Sequence, residues 1–300
     1  MAMALRPIDN ALPTTTPERP KKQSKVSVAI QKQSEFGVND ENKAPLPSSA
    51  DVTIDYISSE NLKPIADPES KVESLMEGLD SKDWIMVCES LNNVRRLALY
   101  HSSLLFPYLE KVMLVLVKAM KNPRSALCKT SIMAASDIFN AFGDKLLDCT
   151  ISVAYDNLLL QLLLKASQDK RFVCEEADKT LKATVMSMTP LPLLHKLRGY
   201  VSHANPRVRA KAAVSISNSV SKMGLEGMKE YGLISMVQMT AYLLNDRLPE
   251  AREAARSIAT LIHKGVTENE EEKLGAWQNF CESNLPPIHV PSMLKVISSQ

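Results

Sequence analysis

The chain is short of aromatic residues, at 5%, and holds only 9 glycines in 300 residues. Both shortages weigh against a β-sandwich or barrel, which relies on aromatic strands and glycine-rich turns. No apolar run approaches the roughly 18 residues that would cross a membrane. The opening Met1–Arg6 lacks the apolar core and small-residue cleavage site of a secretory leader, so none is expected. Five scattered cysteines (Cys88, Cys128, Cys149, Cys174 and Cys281) make a poor disulfide frame and fit free thiols in a reducing compartment. A charge surplus is missing too: 36 basic against 34 acidic residues leave +2. A charged partner must therefore be met by a local patch, and neither nucleic acid nor a membrane is expected as one.

What the chain does have is helix. Residues 1–68 carry 8 of the 17 prolines and two aromatics, Phe36 and Tyr56, and cannot bury enough apolar surface to offset chain entropy. A disordered tail over 1–66 is the expectation. Its charge is segregated: residues 1–33 hold six basic and two acidic residues, residues 34–68 two basic and seven acidic. The tail is thus basic, then acidic. From residue 67 the apolar spacing turns helical. Val72, Leu75, Met76 and Leu79 form one stripe, and Leu109, Val112, Met113, Leu116, Val117 and Met120 another. The segment Leu158–Leu164 is apolar almost all round, as a helix buried between neighbours is.

The helices repeat. Asn122–Ser131, Asp169–Ala177, Asn205–Ala212 and Asp246–Ala255 each run from a polar cap through basic residues to an apolar residue, with a small residue four positions later. The pairs are Leu127/Ser131, Val173/Ala177, Val208/Ala212 and Ala251/Ala255, with a weaker copy around Val87 and Leu91. Aligned positions 87, 127, 173, 208 and 251 are spaced by 40, 46, 35 and 43 residues. Asn before Pro reads as a cap followed by the first helical residue. A period near 40 with two helices per unit marks HEAT or armadillo hairpins, which bury their apolar faces only by stacking. The expected fold is all-α: an α-solenoid of about six HEAT-like hairpins over residues 67–300. Leu274, Trp277, Phe280 and Cys281 are read as its capping stripe, in a last unit spanning Glu268–Leu285.

Catalytic patterns are missing. His101, His195, His203, His263 and His289 are scattered, no Cys-x-x-Cys occurs, and there is no phosphate-binding glycine loop or nucleophile elbow. An enzyme, a cofactor and a metal site are therefore not expected. Cys128 and Cys174 fall near second-helix starts, where amide dipoles can lower a thiol pKa, but small packing residues are the better reading. Glu175-Glu176 and Glu270–Glu272 read as a solvated face.

In stacked hairpins, equivalent turns share an edge. Neighbouring helices about 8–10 Å apart would give five turns an edge of roughly 40 Å. The first turn offers Trp84 beside Lys82 and Asp83, the second Arg124, the third Lys170 and Arg171, the fourth Asn205 and Arg207, the fifth Arg247 and Arg252. An aromatic anchor followed by cations suits an acidic protein surface. The structural alternative is Trp84 as a core residue and each cation as partner to a neighbouring acid.

Taken together, these residues resemble a TOG domain of the CLASP and crescerin (TOG array regulator of axonemal microtubules) type. The most similar stretches are Lys170–Leu181, Asn205–Arg209, Leu244–Asp246, Glu250–Arg252 and Ala254–Arg256. Ile85, Met86 and Val87 follow Trp84 where that family often has an arginine at the third position, and Ser131 stands for its usual alanine. The resemblance implies αβ-tubulin or microtubules as partner and a place on the cytoplasmic microtubule cytoskeleton. Trp84 would be the anchor, with Lys82, Arg124, Lys170, Arg171, Asn205, Arg207 and Arg247 as polar contacts. One such unit alone would benefit from lattice affinity, which the basic stretch Arg19, Lys21, Lys22, Lys25 and Lys32 can supply. Thr16-Pro17 has the form of a proline-directed kinase site, where a phosphate would subtract about 1.5–2 charges from that stretch. The competing expectation is a HEAT/armadillo adaptor that holds another protein on its concave face.

Overall fold

The structure, a computed structural model, describes residues 56–298. The described residues fall in one compact unit. Thirteen α-helices and no strand occur among the described residues. They pair into six hairpins, α1 (Pro68–Leu79) with α2 (Trp84–Tyr100), α4 (Leu109–Met120) with α5 (Ser125–Phe142), and α6 (Ser152–Ala166) with α7 (Arg171–Ser187). Then come α8 (Pro190–Arg198) with α9 (Pro206–Tyr231), α10 (Leu233–Leu244) with α11 (Pro249–Val266), and α12 (Lys273–Asn284) with α13 (Val290–Ser298). The short α3 (Ser102–Leu105) joins the first two hairpins. This is the all-α solenoid that the repeat predicts.

The repeat positions explain the stacking. Leu127, Ser131, Val173, Ala177, Val208, Ala212, Ala251 and Ala255 are all buried. The small member of each pair lets second helices close on one another, so α2 packs on α5, α5 on α7, and α9 on α11. Between α7 and α9 the contact is much shorter. The stripes of α1 and α4 are buried as spaced, with Val117 only half covered.

Local starts follow the capping rules in most places. Asn205 caps α9 with Pro206 in the first turn, its side chain accepting from the Arg207 amide at 2.9 Å. At Asn122-Pro123 the expected start is displaced: α5 begins at Ser125, and the Asn122 side chain accepts from the Arg124 amide instead. The Asx turn uses the same chemistry one step before the helix.

Among the described residues Gly143, Gly224 and Gly232 adopt positive φ, which favours glycine. Gly224 interrupts α9 at φ +68°. Gly143 sits at φ +50°, where a Cβ would lie 2.7 Å from the Ser187 carbonyl oxygen.

The tail boundary expected at residue 66 is corrected. Leu62 is buried, and Ser59–Asn61 make a 3-10 turn. Arg95 of α2 donates from Nη1 to the Ile57 carbonyl at 2.8 Å, and Ser59 Oγ donates to Asp137 of α5 at 2.6 Å. Tyr100 OH donates to the Leu62 carbonyl at 2.7 Å, and Lys129 Nζ lies 4.5 Å from the centre of the Tyr56 ring. The clasp under this strap is the Arg95–Asp137 ion pair, 2.6 Å long with both side chains at most 2% exposed. Composition missed the strap because one apolar anchor, Leu62, is completed by backbone carbonyls and a buried charge pair contributed by distant helices. Arg19, Lys21, Lys22, Lys25, Lys32 and Thr16 lie outside the described residues, as does most of the expected tail.

The capping stripe is also corrected. Trp277 and Cys281 are buried and Phe280 is half-buried, but Leu274 is 67% exposed. The last unit extends past Leu285 into α13, whose Val290 and Met293 are buried. No described helix is long and apolar enough to cross a membrane.

Candidate functional site

The turns that precede the second helices are linked side chain to side chain from the first hairpin to the last. Trp84 opens α2 and is half-buried against the core, and the Arg124 guanidinium of the second turn lies 5.4 Å from its ring centre. Lys170 Nζ, in the third turn, donates to Ser125 Oγ at 3.1 Å. Arg207, in the fourth, pairs with Asp169 of the third at 2.6 Å. Arg209 reaches Asp246 of the fifth at 2.6 Å, and its Nη1 donates to the His203 carbonyl. Asn245 Nδ2 lies 3.2 Å from His289 Nδ1, which joins the fifth turn to the sixth. Five successive contacts, each between neighbouring turns, define one continuous edge.

The same local chemistry shapes four of the six turns. Asp83, Asn122, Asn205 and Asp246 each accept a hydrogen bond from the backbone amide two residues on. Burial works against the Asp246 carboxylate, yet hydrogen bonds from Arg209 and the Leu248 and Arg247 amides hold its pKa below the ordinary value. That carboxylate stays charged and holds Arg209 at 2.6 Å.

The expected site residues separate into two groups. Lys82 and Arg247 are exposed and make no ion pair among the described residues, and Lys170 and Arg124 are exposed with only weak local partners. Arg171 is exposed and pairs along its own helix with Glu175 at 2.7 Å. Arg207 is tied to Asp169, and the Asn205 oxygen is committed to capping α9. Arg252 donates to the carbonyls of Asp246 and Arg247 and so closes its own turn. Sequence reading omitted Asp246, Asn245 and His289 from the edge, because only stacking shows that they meet a neighbour's turn. Arg209 stood inside the repeated motif, and its doubled basic pattern with Arg207 was the available signal.

The thiols near the second-helix starts are not activated. Burial raises the pKa of Cys88 to about 11 and also raises those of Cys128 and Cys174. No group of three or more potential metal ligands occurs among the described residues.

Six stacked helical hairpins make a HEAT-like α-solenoid, and the fold is similar to that of TOG domains. Over 81% of this chain and 90% of the other, it superposes on the TOG domain of C. elegans Zyg9 with a TM-score of 0.59 at 15% identity. A structure of crescerin, which uses a TOG domain array to regulate microtubules in the primary cilium, gives a TM-score of 0.50 at 16% identity over 77% of this chain and 93% of that one. At these identities the likeness is one of fold. In sequence, the chain is similar to TOG array regulator of axonemal microtubules protein 1 of mouse, 31% identical over 180 residues. Its human counterpart is 33% identical over 132 residues. The matched segments cover 60% and 43% of this chain, and 10% and 7% of those much longer proteins. No family profile matches the chain.

Proposed function

We propose that this protein binds αβ-tubulin through its edge of turns and acts as a microtubule-associated regulator by binding, not by catalysis. The observation that carries the proposal is the continuous edge, aromatic at one end and cationic beyond it, in a chain similar to named regulators of axonemal microtubules. Trp84 is the anchor, and Arg124 both shields its ring and offers charge. Lys82, Lys170 and Arg247 are the cations free to meet an acidic surface, and Arg171 joins them once it leaves its exposed pairing with Glu175. Arg207 and Asn205 serve mainly to hold the fourth turn in place. The working place of such a protein is the microtubule cytoskeleton of the cytoplasm. The basic stretch Arg19–Lys32 adds lattice affinity, which a proline-directed kinase acting at Thr16 would weaken.

The test is co-elution of the full chain with soluble tubulin on a sizing column. Trp84→Ala should abolish the complex, and Lys170→Ala with Arg171→Ala should weaken it about tenfold, near 1.4 kcal/mol. Absence of a complex, or one indifferent to both variants, would exclude the proposal. For the tail, a Thr16→Glu chain that pellets with microtubules as well as the unaltered chain would dismiss the kinase switch. A HEAT adaptor that holds its partner on helices instead of turns is supported by one observation, the gap between α7 and α9.

A further inference from the structure

The strap that precedes α1 has a direction, fixed by its contacts. At one end the Leu62 carbonyl accepts from Tyr100, the last residue of α2. Ser59 then meets Asp137 of α5, and Ile57 meets Arg95 of α2. At the other end the Tyr56 ring lies against Lys129, one turn into α5. Burial, and then the Cys88 and Cys128 thiols beside it, raise the Tyr56 phenol pKa.

The lengths agree with this course. From Leu62 back to Tyr56, three steps at 3-10 rise and three extended ones cover about 16 Å. From Tyr100 back to Cys88, α2 covers about 18 Å. The strap therefore runs antiparallel to α2 along the second-helix layer. Trp84 stands four residues before Cys88, on the same face of α2 and about 6 Å further along. So the strap delivers Tyr56 to the aromatic end of the turn edge.

Each ring there has a cation against it. Arg124 lies 5.4 Å from the centre of the Trp84 ring, and Lys129 lies 4.5 Å from that of Tyr56. The cations differ in freedom. Arg124 is exposed, whereas Lys129 is only 20% exposed and also pairs with Glu176 at 3.8 Å. Lys129 thus steadies the Tyr56 ring, and the neighbouring Ile57 carbonyl is held by Arg95. The ring itself is still 43% exposed. An aromatic side chain that is open to solvent but already held in place loses little entropy on meeting a partner, and Tyr, Trp and Arg are the residues that dominate interfaces.

We infer, on the reading that the turn edge binds tubulin, that its aromatic end has two rings and that Tyr56 of the strap contacts the partner together with Trp84. The partner feature that fits is an apolar side chain flanked by carboxylates, which Arg124 and the Tyr56 hydroxyl receive. The strap then serves the site as well as the fold. Arg95 and Asp137 position Tyr56 through the Ile57 carbonyl and the Ser59 hydroxyl.

The experiment is a titration of tubulin with the full chain and with two variants whose fold is verified by circular dichroism. Tyr56→Ala should weaken the complex about tenfold, and Tyr56→Phe, which keeps the ring, less than about threefold. Nitration by tetranitromethane, read by mass spectrometry on the unaltered chain, separates contact from support. Tubulin should protect Tyr56 and leave Tyr108 reactive, since Tyr108 is also exposed but precedes α4, at the far end of the second hairpin from its turn. A complex that Tyr56→Ala forms as readily as the unaltered chain, or one in which Tyr56 nitrates as before, overturns the role of Tyr56 and leaves the edge as the site. No complex with the unaltered chain removes the tubulin reading, and the role of Tyr56 with it.

Discussion

At the residue scale, the most consequential side chains are those that composition makes inconspicuous. Arg95 and Asp137 are 42 positions apart and meet at 2.6 Å in the core. A buried pair gives little net stability over an apolar pair of equal volume, but loss of one partner strands a charge. Arg95→Ala is therefore expected to lower unfolding free energy by about 3–5 kcal/mol, while Arg95→Met with Asp137→Leu should recover most of it. Urea titration of the three proteins decides this. His263 makes a second residue-scale case. It packs edge-on against Trp277 at 5.4 Å, and burial, with a contribution from Lys273, lowers its pKa from 6.5. Its neutral form is the folded one, so the unfolded chain binds the proton more readily. Stability should be unaffected by His263 above pH 6.5 and fall as pH drops below it, levelling once the folded pKa is passed. The carboxylates with depressed values, such as Asp67 and Asp246, lose their contribution at lower pH, beneath their ordinary 3.8. Between these windows a His263→Phe chain should show a flatter profile of melting temperature against pH.

At the element scale, helix ends and breaks decide how hairpins meet. Lys222 precedes the break in α9 and donates to the carbonyls of Val185, Met186 and Met188, so one ammonium closes the end of α7. Gly224 follows at φ +68° with no atom near its missing Cβ. At φ +68°, ψ −172°, a region essentially open only to glycine, Gly224→Ala should cost about 1–3 kcal/mol for backbone conformation alone. A larger loss, read from thermal unfolding, would mean that the side chain disturbs the Lys222 clasp. The strap is an element in its own right. Without residues up to 62, Arg95 would lose the Ile57 carbonyl and Asp137 the Ser59 hydroxyl.

At the scale of the whole molecule, stability in a stacked solenoid is a sum of hairpins and their interfaces. Five hairpin joints are not equal here, because α7 meets α9 over a shorter stretch than α5 meets α7 or α9 meets α11. Hydrogen exchange is expected to show two cooperative blocks, with hairpins one to three protected separately from four to six. A single opening event for all six would refute a weak joint.

The amino-acid sequence by itself determined the helices, their repeat and most of the core. Apolar spacing within one helix is a local property, and Val72, Leu75, Met76 and Leu79 are buried as their period requires. Small residues at 131, 177, 212 and 255 could be aligned without any structure, as could the turns and the cations in them. Only the tertiary structure decided which cation is free and which is bound: Lys82 and Arg247 look no different in sequence from Arg207, which Asp169 holds. It alone also placed Leu62 in the core, Leu274 in solvent, and Arg209 on Asp246. These outcomes depend on the offset and separation of stacked hairpins some 40 residues apart in sequence. That offset is set by packing across the whole stack, and no single stretch of chain encodes it.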